Sequence, residues 1–273
     1  MISRNILSTG EKLPVIGLGT WQQFDVHDSD AVNNLNEVLE TMHAFGGRLI
    51  DCSPMYGRAE TVVGVTSQAT GLADDFFYAS KIWTTGEENG KQQIHNSLKK
   101  MQRKKLDLMQ IHNLQDWKTH LKTLNSFKEE GVIRYTGITH YTVASHNQLQ
   151  SIVTSEKIDF VQVNYSIGVP DAENSLLKAC LENNVSVIAN EPFDKGRLFT
   201  ITKNISLPEW ATEFGITDWA GYFLKYIISH PAITCVIPGT SVPANVKTNM
   251  FAGSDPLPDI KTRLKMRRFL EQL

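Results

Sequence analysis

The sequence predicts an α/β fold of the (β/α)8 TIM-barrel type, with an N-terminal β-hairpin cap and an extra C-terminal helix. Short apolar runs rich in β-branched residues alternate with longer stretches of helical spacing along the whole chain, and eight such runs can be read. Those ending at Asp51, Lys81 and His112 lie about 30 residues apart, the length of one strand, one helix and two loops. A length of 273 residues suits one barrel, so a single domain over 1–273 is expected. The alternative for the same alternation is an open doubly wound sheet. That fold would carry a G-x-G-x-x-G phosphate loop, whereas Gly17-Leu18-Gly19 is followed by Thr20-Trp21-Gln22.

The elements follow in order. Residues 3–15, with Ser8-Thr9-Gly10 between apolar residues, read as a hairpin covering the barrel's bottom. Strands are expected over 15–19, 48–51, 76–81 and 108–112, with four more ending near Thr139, Tyr165, Glu191 and Pro238. Helices are read at 30–44, 61–69, 88–101, 118–130, 174–183 and 218–229, with Asp28 or Asp30 and Asp218 as N-caps, because a short acidic side chain can accept from the free N–H groups of a first turn. The stretch 194–217 is too long for an ordinary loop and is expected to act as a lid or cofactor flap. Residues 258–273 open on Pro258-Asp259 and carry Leu264, Met266, Phe269 and Leu270, the apolar stripe of a closing helix on the barrel's outside.

Composition excludes several classes. With 41% hydrophobic and 21% charged residues and a net charge of −2, the chain reads as an ordinary globular protein with no basic nucleic-acid surface. The run Lys99, Lys100, Arg103, Lys104 and Lys105 reads as a solvated helix end. Three cysteines, Cys52, Cys180 and Cys235, lack C-x-x-C spacing, so neither a disulfide framework nor a zinc site is expected. The N-terminus lacks the apolar core of a signal peptide, and no segment reaches the ~18 apolar residues of a membrane span. A cytoplasmic protein with no membrane partner is expected; the sequence carries no sign of its oligomeric state.

In a barrel of this kind the working residues stand at the C-terminal strand ends. Here those ends carry Asp51 followed by Tyr56, then Lys81, then His112. A carboxylate and an ammonium among apolar strand residues lose hydration unless they pair, and adjacent strands allow Asp51 and Lys81 to do so. Each residue alone could be packing or a buried ion pair. Four proton-handling groups at three consecutive strand ends suit proton delivery to an oxygen that becomes an alkoxide when hydride reaches its carbon. A free tyrosine titrates near 10, so a neighbouring ammonium is expected to pull Tyr56 downward. No amino acid donates hydride, so a nicotinamide cofactor is required. A metal-dependent hydrolase built on His112, Asp51, His140 and Glu191 is a competing reading, disfavoured because Lys81 would compete with the metal, and no metal is expected.

The stretches Gly17-Leu18-Gly19-Thr20-Trp21, Asp51-Cys52-Ser53-Pro54-Met55-Tyr56-Gly57, Ser80-Lys81-Ile82-Trp83, Asp107-Leu108-Met109-Gln110-Ile111-His112, Gly137-Ile138-Thr139 and Ile237-Pro238-Gly239 together resemble the aldo-keto reductase family, in family order and over essentially the whole chain. The resemblance implies reduction of an aldehyde, ketone or related small carbonyl compound by NADPH, with NADH possible. It implies a catalytic tetrad of Asp51, Tyr56, Lys81 and His112, with Tyr56 as general acid. Gly19, Thr20 and Asp51 would line the cofactor and Gln162 would bond the nicotinamide carboxamide. Trp21, Trp83 and Asn113 would wall the substrate pocket with Tyr56 and His112. Departures fall on the cofactor side. Thr139-His140 replaces a Ser-Asn pair, and Asn190 stands where an aromatic residue stacks on the nicotinamide, leaving Phe193 to supply part of that contact. In the segment of Pro238, Gly239, Thr240, Ser241, Asn245 and Asn249, Gly239 and Asn245 replace the lysine and arginine that hold a 2′-phosphate, leaving hydroxyls, a helix N-terminus and Lys247. The resemblance also admits a nucleotide-binding regulatory or sensor barrel with little turnover; an intact tetrad argues against it.

Overall fold

A computed structural model describes residues 1–273. The chain opens on an antiparallel hairpin, β1 (Ser3–Asn5) and β2 (Lys12–Pro14), whose register pairs Arg4 with Leu13. Eight parallel strands follow: β3 (Leu18–Gly19), β4 (Leu49–Asp51), β5 (Phe77–Ile82), β6 (Leu106–His112), β7 (Ile133–His140), β8 (Phe160–Asn164), β9 (Ser186–Asn190) and β10 (Ile233–Val236). They are hydrogen-bonded in chain order from β3 to β10. The ring closes through parallel bridges from Ile16 to Val236 and from Gly19 to Gly239, with the Gly17 and Val236 N–H groups each donating across the seam at 2.9 Å. This is the (β/α)8 barrel expected from the sequence.

Between and after the strands run α1 (Ser29–Ala44), α2 (Ala59–Ala69), α3 (Glu87–Lys100), α4 (Trp117–Glu129), α5 (His146–Ser155), α6 (Leu176–Glu182), α7 (Arg197–Ile201), α8 (Trp219–Ile228), α9 (Pro243–Phe251) and α10 (Ile260–Leu270). Asp28 and Asp218 cap α1 and α8 as expected, and Asp259 caps α10, each carboxylate accepting from a first-turn N–H at 2.7–2.8 Å. Helix α5 was not among the helices read from the sequence. Its ten residues hold few apolar side chains, and only the fold shows that Leu149, Ile152 and Val153 share one buried face. The strand expected to end at Pro238 stops at Val236, since proline has no N–H to continue a ladder.

The stretch 194–217 is not a bare loop. It contains α7 and a 3-10 turn over Glu209–Phe214, and it is pinned to α8 by Phe199 against Phe223 and by the Trp219 indole donating to the Ile205 carbonyl at 3.0 Å.

Strand alternation divides the core in two. Side chains such as Ile50, Tyr78, Met109, Ile138, Val161 and Val187 point outward and pack under the helices. The opposite parity points inward: Leu49, Phe77, Leu108, Tyr135, Phe160, Ile188 and Cys235 fill the lower barrel, with Ile6 and Leu13 of the hairpin buried against them. Two and four residues further along the same inward rows stand Asp51, Lys81, Gln110, His112, Thr139 and Gln162. The interior is therefore mainly apolar and plugged at the bottom, where Ser186 and the Tyr135 hydroxyl bond to the hairpin, and polar at the top, which gathers Asp51, Lys81, Gln110, His112, Thr139 and Gln162 at one mouth.

Candidate active site

The structure brings Asp51, Tyr56, Lys81 and His112 together at the C-terminal mouth. Asp51 and Lys81 are both buried, and the Lys81 Nζ donates to Asp51 Oδ2 at 2.6 Å and to the Cys52 carbonyl at 2.7 Å. The same ammonium lies 4.9 Å from the centre of the Tyr56 ring. Tyr56 and His112 meet edge to face at 6.0 Å, and Ser53 Oγ lies 3.3 Å from His112 Nδ1, which leaves Nε2 as the free ring nitrogen.

Electrostatics sharpen this arrangement. Burial alone would lower the Lys81 ammonium, but Asp51 and Tyr56 hold it above the ordinary lysine value, so it stays charged. For Tyr56, burial is the largest influence and raises the phenol, while Lys81 pulls it down and Asp51 pushes it up; the net direction is upward. The lowering expected from the sequence is thus corrected: desolvation outweighs the ammonium, and the phenol holds its proton through the neutral range. His112 is pushed down to about 3 by burial, with Lys81 and His140 adding to the effect, so its imidazole is neutral at pH 7.

Trp21 and Trp83, in the loops that follow β3 and β5, are 51% and 40% exposed, so neither is a core residue. Asn113, directly after His112, has φ 53° and a buried side-chain oxygen without a partner. Left-handed non-glycine residues gather in the loops around this mouth, at Gln22, Asn113, Leu114, Asp116, Glu191, Asp194 and Lys195, where local strain is held in place by the surrounding fold.

On the cofactor side the pattern is more mixed. Thr20 is buried and its hydroxyl donates to the Asp51 carbonyl at 2.9 Å. Gln162 donates to Asp51 Oδ1 at 2.8 Å and accepts from Thr139 at 3.1 Å and Asn190 at 3.4 Å, so one of its N–H groups remains free. The Asn190 side-chain oxygen is buried without a partner. His140 Nδ1 accepts from the Tyr141 backbone at 3.0 Å, folding the imidazole onto its own loop. Phe193 is not brought to the tetrad: its ring sits in a cluster with Phe199 at 4.9 Å and Phe223 at 6.4 Å. Beside the barrel seam, Asn34 donates to the Ser241 carbonyl at 2.6 Å, and Thr240 Oγ1 accepts from the Val242 N–H at 3.1 Å, shaping the start of α9. Asn245 is exposed there, while Asn249 is buried. Lys247 is turned away onto Phe45 and Phe251, at 5.8 and 6.0 Å. The segment expected to face a 2′-phosphate therefore has no cation aimed into it.

A model of the aldo/keto reductase family matches residues 15–263. The chain belongs to the aldo/keto reductase family. Among curated relatives, the methylglyoxal reductase YeaE of Escherichia coli is 29% identical over 247 residues, covering 87% of this chain and 84% of that protein. The methylglyoxal reductase DkgA of Yersinia pestis is 30% identical over 141 residues, about half of each chain (50% and 48%). Among solved structures, an aldo-keto reductase from Klebsiella pneumoniae in complex with NADPH superposes with a TM-score of 0.83 at 24% identity, covering 99% of this chain and 96% of that one. As an aldo-keto reductase, this chain is an oxidoreductase of carbonyl compounds that works with a nicotinamide dinucleotide.

Two polar residues at the mouth of this reductase were not singled out from the sequence. Gln110 is fully buried and donates to Asp51 Oδ1 at 3.1 Å. Its signal was legible: a lone amide within the apolar run from Leu108 to Ile111, two residues before His112 and so on the same face. Ser53 had no such signal, because its contact with His112 depends on the turn after β4. No group of three or more His, Cys, Asp or Glu side chains is placed to hold a metal.

Proposed function

We propose that the protein reduces small aldehydes and ketones, with reactive dicarbonyl compounds such as methylglyoxal as the substrate class, taking hydride from NADPH and a proton from Tyr56. The observation that carries this reading is the buried Lys81 ammonium, fixed by Asp51 at 2.6 Å and lying 4.9 Å from the Tyr56 ring beside a neutral His112. The relatives named methylglyoxal reductases support the substrate class. The cofactor supplies hydride when bound. Its carboxamide fits the residues present, since the unpartnered Asn190 oxygen would accept from it and the free N–H of Gln162 would donate to it. Thr139 orients Gln162, and Gly19, Thr20, Pro238 and Gly239 line the seam along which the dinucleotide would lie. Thr240, Ser241, Asn245 and the N-terminus of α9 would meet a 2′-phosphate through hydroxyl and N–H groups alone, so NADH is admitted as a weaker partner.

His112, neutral and with Nε2 free, orients the carbonyl oxygen. Tyr56 delivers the proton to that oxygen as negative charge builds on it, and Lys81 stabilises the phenolate that results. Trp21, Trp83 and Asn113 wall the pocket around the substrate carbon. We place this activity in the cytoplasm, in keeping with three buried, unpaired cysteines. The test is NADPH oxidation by the purified protein with methylglyoxal. Tyr56→Phe is expected to lower kcat by about 10²–10⁴-fold while the Kd for NADPH stays within about twofold. Undiminished turnover in that variant would remove Tyr56 from the chemistry.

A further inference from the structure

Asp51 is surrounded by donors of two kinds. Its Oδ2 faces Lys81, and its Oδ1 receives two carboxamides, from Gln162 on β8 at 2.8 Å and from Gln110 on β6 at 3.1 Å. Gln110 is fully buried, and only half of its amide is satisfied: Nε2 reaches Asp51, while Oε1 has no partner. An unpaired carbonyl in a dry interior is unfavourable, and an apolar side chain of similar size would fill the same space without that penalty. What the amide adds is the bond to Asp51. The barrel makes room for it: Gln110 pairs in register with Gly137 on β7, where a Cβ would stand 3.1 Å from Gln110 Cγ.

We propose that Gln110 is a positioning residue for proton delivery, holding Asp51 Oδ1 so that only Oδ2 engages the ammonium of Lys81. A carboxylate free to rotate would take the ammonium between both oxygens and draw it from the phenol. The two amides, on strands either side of β7, fix the carboxylate plane and leave Lys81 in contact with both the Cys52 carbonyl and the Tyr56 ring. They also share the carboxylate's charge, so that less of it opposes ionisation of Tyr56. Loss of the Gln110 donor acts in one direction by both routes: the ammonium retreats, Asp51 weighs more heavily, and the phenol holds its proton to higher pH.

This inference rests on the reading of Tyr56 as proton donor. Its test uses Gln110→Met, which keeps the volume and removes the donor, and Gln110→Asn, which keeps an amide but withdraws it by one methylene. In both variants the alkaline limb of the kcat profile for carbonyl reduction is expected to move up by about half a pH unit, with the NADPH Kd within about twofold of wild type. Ultraviolet difference titration of each variant against its Tyr56→Phe partner reads the same phenol without turnover, and the same upward shift is expected. An unmoved limb and an unmoved phenol in a folded variant, while Tyr56→Phe still abolishes turnover, would overturn the role of Gln110 alone. So would weakened NADPH binding with no shift in either titration. Turnover retained by Tyr56→Phe would instead overturn the donor reading.

Discussion

Asp51 and Lys81 each lose their hydration on folding and recover it only from one another and from neighbouring amides and carbonyls. Lys81→Met would leave the carboxylate buried without a counter-ion, and a loss of roughly 3–5 kcal/mol in unfolding free energy is expected by urea titration. A variant as stable as the parent would show that Asp51 takes up a proton or finds solvent instead. Beside them, Gly57 has φ 58°, and a Cβ there would stand 2.3 Å from the Asp25 carboxylate, which accepts the Arg58 N–H at 2.9 Å. This contact ties the turn carrying Tyr56 to the loop after β3. Gly57→Ala is therefore expected to lower kcat by about tenfold or more through displacement of Tyr56, beyond its cost of about 1–2 kcal/mol in stability. Parental kcat in that variant would separate the turn from the placement of the phenol. At this scale the cluster was legible, because Asp51, Tyr56, Lys81 and His112 are chemically conspicuous at or just beyond strand ends. The upward direction of the Tyr56 shift was not, since the burial that causes it belongs to no single residue.

Among the elements, α9 and the segment leading to it carry the dinucleotide question. The sequence offered Lys247 as a charge for the 2′-phosphate, but one turn of helix carries its ammonium onto Phe45 and Phe251. Asn245, exposed in the first turn of α9, is the position to which a cation would be restored. Asn245→Arg is expected to tighten NADPH relative to NADH by about tenfold, read as the ratio of their Kd values by fluorescence quenching. An unchanged ratio would put the 2′-phosphate elsewhere on the mouth. The hairpin, the strands and most helices were readable from period and caps. Helix α5 was not, because its apolar face becomes visible only when β7 and β8 lie beneath it.

For the whole molecule, acid is the revealing condition. His112 titrates at about 3 and His230 at about 4 in the folded protein, both lowered first by burial and then by nearby cations, against about 6.5 when unfolded. Between those values the unfolded chain binds protons that the fold refuses. Their contribution to stability is thus complete above about pH 6.5 and is lost as pH falls toward 4 and 3. For His112 this amounts to about 2 kcal/mol at pH 5; His230, nearer solvent, contributes less. The urea midpoint is expected to fall from pH 7 to pH 5, and to fall less in a His230→Asn variant. Equal falls in both proteins would mean that other groups set the acid limit.

The barrel, the family and the candidate residues Asp51, Tyr56, Lys81 and His112 could be read along the chain, because hydrophobic period and strand-end chemistry are local properties that survive in one dimension. The tertiary structure decided how those residues are tuned. The amides of Gln110 and Gln162 on Asp51, the neutrality of His112 and the raised phenol of Tyr56 all arise from groups distant in the chain that share one enclosed mouth, where burial and charge act on each other; the turned-away Lys247 arises from the packing of α9 on Phe45 at the surface.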